Sequence, residues 1–309
     1  MSRGPSWSAI FGARTPPAGA DRAAVVGRPG RQLPVESTLV KVGEADIECF
    51  VHGTGRSIIL LPGGSLSVGY LSDLASALAA SGLCAVRLNP RGAGRSVGPM
   101  EDLTLHDYAS DVAGVAQELG LAPTVVLGHA FGNRIARTVA ADRPDLVRGV
   151  VLVSAGGKVE PVPEAQRALA TLFTPTATEA EVVEAMRWMV GSPENAASVW
   201  ERFKGDRAPG AAAAQMSAAR ATPLEEWWAP PGDVAYLVVQ GLDDAPAPPA
   251  NGHLLKDELG DRVTVVDIPD AGHLQPLEAP SVVAEAVISF VSSLDDPVPS
   301  GRPVRSSGS

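Results

Sequence analysis

The sequence predicts an α/β protein: a mostly parallel central sheet of about eight strands, helices on both faces and an all-helical insertion. Two observations carry that prediction. Short apolar runs of strand length alternate with longer runs whose apolar residues recur at helical spacing. Between residues 158 and 230 the alternation stops, leaving only Ala-rich helical patterns broken by Pro and Gly, and then it resumes.

Taken in order, Ser37 to Val42 and Ala45 to His52 read as an opening hairpin around Gly43-Glu44. The run Ser57-Ile58-Ile59-Leu60-Leu61 is the next strand, ended by Pro62-Gly63-Gly64. Residues 70–80 follow with Leu71, Leu74 and Leu78 on one helical face. Leu83 to Leu88 is a strand, and a helix over about 104–119 comes after a Gly-rich loop. Strands at 123–128 and Gly149 to Ser154 flank another helical pattern. Helices are predicted at 164–173, 178–190, 193–204 and 210–221. Strands at Val234 to Gln240 and Val263 to Ile268 then alternate with helices near 250–259 and 279–293. The core is therefore 34–157 plus 231–294, and 158–230 is a helical lid over the strands' carboxyl ends, where such sheets bind ligands. Residues 1–33, rich in Pro, Gly and Arg, and 295–309 are expected to be disordered, with Trp7, Ile10 and Phe11 able to dock.

Composition narrows the function. Of 309 residues 45% are hydrophobic, enough for a large core, and the net charge of −10 argues against nucleic acid or an anionic membrane as partner. No stretch approaches the 18 apolar residues of a membrane-spanning helix, and the first 33 lack the apolar block of a signal peptide. Cys49 and Cys84 sit in apolar strands and are expected as buried free thiols, which suits a reducing cytoplasm. No cluster has metal-ligand spacing, no cofactor is expected, and the chain is expected as a monomer or homodimer.

The most informative segment is Gly128-His129-Ala130-Phe131-Gly132, which follows the strand Thr124-Val125-Val126-Leu127 and opens a helical pattern. Strand, G-x-S-x-G, helix is the nucleophile elbow, here with Ala where the Ser would stand. On these residues the chain resembles the α/β-hydrolase superfamily over essentially all of its ordered body. The resemblance implies a base in a loop after the last strand, where His273 lies, and an acid after an earlier strand, where Asp243-Asp244 follow Gln240-Gly241. Asp244 matches the family's acid better than Asp243. Oxyanion donors are expected from the N–H of Phe131 and of Gly64, with Ser65 second. Pro62 stands where many relatives have His. Four of the five tryptophans, Trp188, Trp200, Trp227 and Trp228, fall in the lid, and one or two are expected to reach a hydrophobic ligand.

Ala130 admits three readings. It replaces the Ser of a hydrolase acting on a hydrophobic ester or lactone; it replaces the Asp of an epoxide hydrolase or dehalogenase; or the chain is a non-catalytic ligand-binding member. A strained turn costs about 1–3 kcal/mol, and a binding protein has no evident reason to keep that cost beside an aligned His and Asp. The serine reading is favoured, with this chain as its inactive form.

Overall fold

The computed structural model describes residues 36–174 and 176–294, so the expectations for 1–33 and 295–309 lie outside the described residues. One eight-stranded sheet organises them, in the order β1-β2-β4-β3-β5-β6-β7-β8. The strands are β1 (Ser37–Val42), β2 (Ala45–His52), β3 (Arg56–Leu61), β4 (Leu83–Leu88), β5 (Thr124–His129), β6 (Val147–Val153), β7 (Ala235–Gly241) and β8 (Val263–Ile268). β2 pairs antiparallel with β1 and β4, and every other pairing is parallel.

The core helices are α1 (Ser72–Ala80), α2 (Leu105–Glu118) and α3 (Phe131–Asp142). Between β6 and β7 lie α4 (Pro163–Phe173), α5 (Glu179–Met186), α6 (Ala196–Phe203), α7 (Ala212–Ala221) and α8 (Leu224–Trp227). The chain closes with α9 (Ala250–Leu259), α10 (Gln275–Glu278) and α11 (Pro280–Ser293).

Side-chain alternation along the strands divides the core in two. Ile58, Leu60, Val125, Leu127, Val151 and Val153 face α1 and α11. Their neighbours Ile59, Leu61, Val126, Val150 and Leu152 face α2, α3 and α9. Both faces of the central strands are therefore dry, which is why these runs read as continuously apolar.

Two expectations need correction. The predicted helix 178–190 stops at Met186, because the chain must turn there to bring Met189 and Gly191 onto the loop carrying His273. Cys84 is only partly buried, since its side chain falls on the less covered part of β4; both thiols are free.

The close passage of β5 and α3 depends on two glycines. A Cβ on Gly128 would overlap the Gly132 carbonyl, and one on Gly132 would lie 2.8 Å from the carbonyl oxygens of Leu61 and Pro62. Gly205, in the insertion, has open space around the same position. Gly132→Ala should therefore lower unfolding free energy by about 1–3 kcal/mol, an overpacking cost. Gly205→Ala should change it by less than about 0.5 kcal/mol. Urea unfolding midpoints compare the two; equal midpoints would refute the packing account.

Candidate active site

The site begins with backbone strain. Ala130 joins β5 to α3 with φ 49° and ψ −110°, a region that L-residues avoid. Its N–H donates to the Val153 carbonyl at 3.0 Å, and its own carbonyl accepts from the Asn133 N–H at 3.0 Å. Asn133 Nδ2 ties the turn to β6 through the carbonyls of Val153 (2.9 Å) and Ser154 (2.7 Å). Five non-glycine residues among those described have positive φ, and three of them, Ser65, Ala130 and Ser154, line one cavity. Strain concentrated in this way marks a site.

That cavity has a volume of about 270 Å³ and lies between the strands' carboxyl ends and the helical insertion. His273 opens onto it from the loop after β8. Its Nδ1 faces both carboxylate oxygens of Asp244, at 3.0 and 3.2 Å. Asp244 is buried and also accepts the Ala247 N–H at 2.7 Å and Gln240 Nε2 at 3.3 Å. Asp243, its neighbour, is exposed. An ionised Asp244 requires the proton on His273 Nδ1, leaving Nε2 as the acceptor available to the cavity. The structure therefore brings together position 130, His273 and Asp244.

The loop after β3 supplies backbone donors. Gly63 N–H donates to the Tyr70 hydroxyl at 2.9 Å, and Ser65 N–H donates to Gln215 Oε1 at 2.7 Å. Gly64, between them, makes no such bond among the described residues, nor does the Phe131 N–H at the first position of α3. A Cβ on Gly64 would lie 3.4 Å from that of Phe131, so the two residues with free N–H groups are neighbours. Ser65, expected as an alternative donor, has its N–H committed to Gln215.

A buried polar relay fixes this geometry. The Tyr70 hydroxyl and His129 Nδ1 are 2.6 Å apart, and His129 Nε2 reaches the His273 carbonyl at 2.8 Å. A carbonyl can only accept, so His129 carries its proton on Nε2 and accepts a hydrogen bond from the Tyr70 hydroxyl at Nδ1. Ser154 Oγ donates to the same His273 carbonyl at 2.7 Å and lies against Gln275 Oε1. His273 N–H donates to the Met189 carbonyl at 2.8 Å, so the insertion holds the loop from the other side. Burial, then the proximity of His273, pushes the His129 pKa down to about 3. Burial pushes the Tyr70 hydroxyl up, so it donates without ionising.

The four insertion tryptophans separate. Trp200 lines the cavity with Phe173, Met189 and Phe203. Trp188 is 42% exposed and faces a different hollow between α4 and α5. Trp227 and Trp228 are buried away from the cavity, where their rings flank the fully buried Arg137 at 4.6 and 4.9 Å. A buried guanidinium held by backbone carbonyls consumes two aromatic faces, which sequence could not foretell.

Among the lining residues that went unnoticed in the sequence are three with long polar side chains, Arg134, Arg207 and Gln215. Arg134 had a legible signal, lying four residues past Ala130 on a predicted helix and so on its face. Arg207 and Gln215 come from the insertion and had none. Among the described residues no three His, Cys, Asp or Glu side chains are grouped to hold a metal ion. None of the described helices is long and apolar enough to cross a membrane.

A family model described as alpha/beta hydrolase fold matches residues 56–280. The 2-(acetamidomethylene)succinate hydrolase of Mesorhizobium japonicum is 29% identical over 117 residues, 38% of this chain and 42% of that relative. Pyrrolizixenacetamide deacetylase of Xenorhabdus hominickii is 30% identical over 117 residues, 38% of this chain and 44% of that relative. The match thus spans less than half the length of these curated relatives. The esterase from Exiguobacterium antarcticum superposes with TM-score 0.70 at 18% identity, over 83% of this chain and all of that one. The enol-lactonase from Burkholderia xenovorans does so with TM-score 0.68 at 20% identity, over 82% of this chain and all of that one. At such identities the likeness shows the fold.

The depressed pKa of His129 has a stability consequence. The unfolded chain protonates this histidine near pH 6.5, whereas the folded chain resists until about pH 3. Its contribution is complete above pH 6.5 and is lost as pH falls toward 3, because the unfolded state then binds the extra proton. Between pH 7.5 and 5.0 the loss attributable to His129 should be about 2 kcal/mol. His129→Gln should be less stable at pH 7.5 but lose less on acidification. Parallel urea titrations at both pH values test this; an unchanged acid loss in the variant would refute it.

Proposed function

The chain belongs to the α/β-hydrolase fold family, and we propose that its cavity is a serine-hydrolase centre of the ester or lactone class lacking one atom, the nucleophilic oxygen at Ala130. The observation that carries this is the backbone of Ala130. It keeps the costly elbow conformation beside a His–Asp pair and two adjacent free N–H groups, although an alanine has no use for that turn. The relatives' names support the class, since they include a hydrolase, a deacetylase, an esterase and an enol-lactonase.

In the active form, a serine hydroxyl at position 130 attacks the substrate carbonyl while His273 Nε2 takes its proton. Asp244 holds the imidazole in the required tautomer and stabilises the imidazolium. The N–H groups of Phe131 and Gly64 receive the developing oxyanion, each such donor being worth about 10²–10³ in rate. His273 then returns the proton to the leaving group, and water releases the acyl group by the same route. The helices α4 to α8 act as the lid, and Trp200, Phe173 and Phe203 give the acyl or alcohol part an apolar wall. The ligand is a hydrophobic small molecule, neither nucleic acid nor membrane, and the chemistry needs no cofactor.

With Ala130 the chain should bind such molecules and turn them over at a rate depressed on the order of 10⁶-fold. Ala130→Ser should restore hydrolysis of p-nitrophenyl butyrate and label with a fluorophosphonate. Adding His273→Ala should abolish both. A folded revertant that stays silent across ester, lactone, thioester and amide panels would sink the proposal. If Ala130→Asp instead opened epoxides or released halide, the centre would belong to the alkyl-enzyme class.

A further inference from the structure

The charged side chains of the cavity wall are of one sign only. Among its lining residues are two arginines, Arg134 and Arg207, and no Asp or Glu. That is notable in a chain with 35 acidic and 25 basic residues. Arg207 is partly satisfied, donating to the Leu172 carbonyl at 2.6 Å with its guanidinium 5.8 Å from the Trp200 ring. Arg134 is not. Its guanidinium sits 5.2 Å from the Trp227 ring, and it makes no hydrogen bond or ion pair among the described residues. Glu160 is near enough to favour its charge, but burial acts more strongly and pushes its pKa down.

The contrast with the next arginine on the same helix is direct. Arg137, fully buried, donates to the carbonyls of Gly156 (2.7 Å), Asn133 (3.3 Å) and Trp228 (3.4 Å). Arg91, elsewhere, is bidentate to Asp111 at 2.7 and 2.9 Å. A guanidinium carries five N–H donors in a planar fork, and leaving them unused in a partly desolvated position is costly. Beside the one acceptor that His273 Nε2 offers, further donors of the wall are unpaired. Gln215 Nε2 is buried without a partner, and the N–H groups of Gly64 and Phe131 are free. Such a wall asks for a ligand that brings acceptors.

Resting on the site proposed above, we infer that the substrate is an apolar ester or lactone bearing a carboxylate, and that Arg134 receives that carboxylate. A carboxylate matches the planar guanidinium fork and would supply the acceptors it lacks. Arg134 lies about one helical turn, roughly 6 Å along the axis, from position 130. The carboxylate and the scissile carbonyl therefore belong to one compact molecule, separated by a short chain of atoms. Trp200, Phe203 and Leu169 cover its apolar part.

Binding to the chain as it stands separates this inference from the hydrolase reading, because it needs no nucleophile. Calorimetric titration should show 4-phenylbutanoate binding about ten-fold or more tightly than its neutral isostere 4-phenylbutanamide, a difference of about 1.4 kcal/mol. Arg134→Gln should remove that preference and leave amide affinity within about two-fold. Arg134→Met, which keeps the apolar stem, serves if the first variant does not fold, as judged by near-ultraviolet circular dichroism. Equal binding of the two probes, no binding of the carboxylate at millimolar concentration, or a preference that survives both variants would overturn the assignment. In the Ala130→Ser form, monomethyl suberate should exceed methyl octanoate in kcat/KM, and Arg134→Gln should reverse that order. An inert Ala130→Ser form with the carboxylate preference intact would reject the hydrolase reading alone. Active hydrolysis without the preference would reject the carboxylate alone.

Discussion

The cavity is set out from the backbone of a single residue. Ala130 sits at φ 49° and ψ −110°, a conformation costing about 1–3 kcal/mol for an L-residue. It persists because its surroundings over-determine it. β5 and α3 approach so closely that only glycine fits at 128 and 132, and hydrogen bonds to β6 hold the turn from the other side. The sharp turn leaves the first N–H of α3 without an intrahelical acceptor, as every helix start must, and Gly64, whose N–H is also free, lies beside Phe131. Relaxing the turn would withdraw the donor pair and move the side chain of position 130 away from His273 together. The strain is thus the means by which separate elements share one reference point.

A second constraint follows from burial. Polar groups removed from water must find partners, and at this edge of the sheet the partners belong to different segments. Tyr70, from the turn before α1, holds Gly63 and His129, and His129 holds the backbone of His273. Glu278, on α10, accepts the N–H groups of Gly191, Gly272 and Leu274, binding the insertion to the same loop. Each bond is modest, about 1 kcal/mol net, yet leaving any one unmade costs more than making it gains. The register of four loops is fixed by that asymmetry.

This explains which parts were legible in the sequence. Strand periodicity depends on neighbours a few residues apart, so β1, β2, β4 and β8 emerge at their observed boundaries, and the others shift by one or two residues. Position 130, Asp244 and His273 were legible because they occupy fixed places after particular strands, and the fold brings them together. Residues whose meaning depends on distant contacts were not. Tyr70 looked like a helix start, and nothing near Gln215 indicates that its side chain meets Ser65, 150 positions earlier. Which of the four tryptophans would line the cavity was illegible for the same reason: Trp200 does, whereas burial of Arg137 claims two of the others. The short helices α8 and α10 lack the length for a periodic signal.

On the proposed serine-hydrolase reading, alanine at 130 also changes how the cavity's binding energy is used. In a serine enzyme, donors such as the Gly64 and Phe131 N–H groups bond most strongly to the tetrahedral oxyanion, so their stabilisation appears in the rate. Without a hydroxyl at 130 no tetrahedral species forms, and those donors meet only a neutral carbonyl. The proposed role of Arg134 is different, because the carboxylate it receives would lie in a part of the ligand that does not react, bound alike in ground state and transition state. On that reading alanine at 130 would remove the selective part of the binding energy and leave the uniform part whole. On the proposed reading, such a site would hold a carboxylated ester without consuming it, and the residence time would depend on Arg134 more than on the elbow.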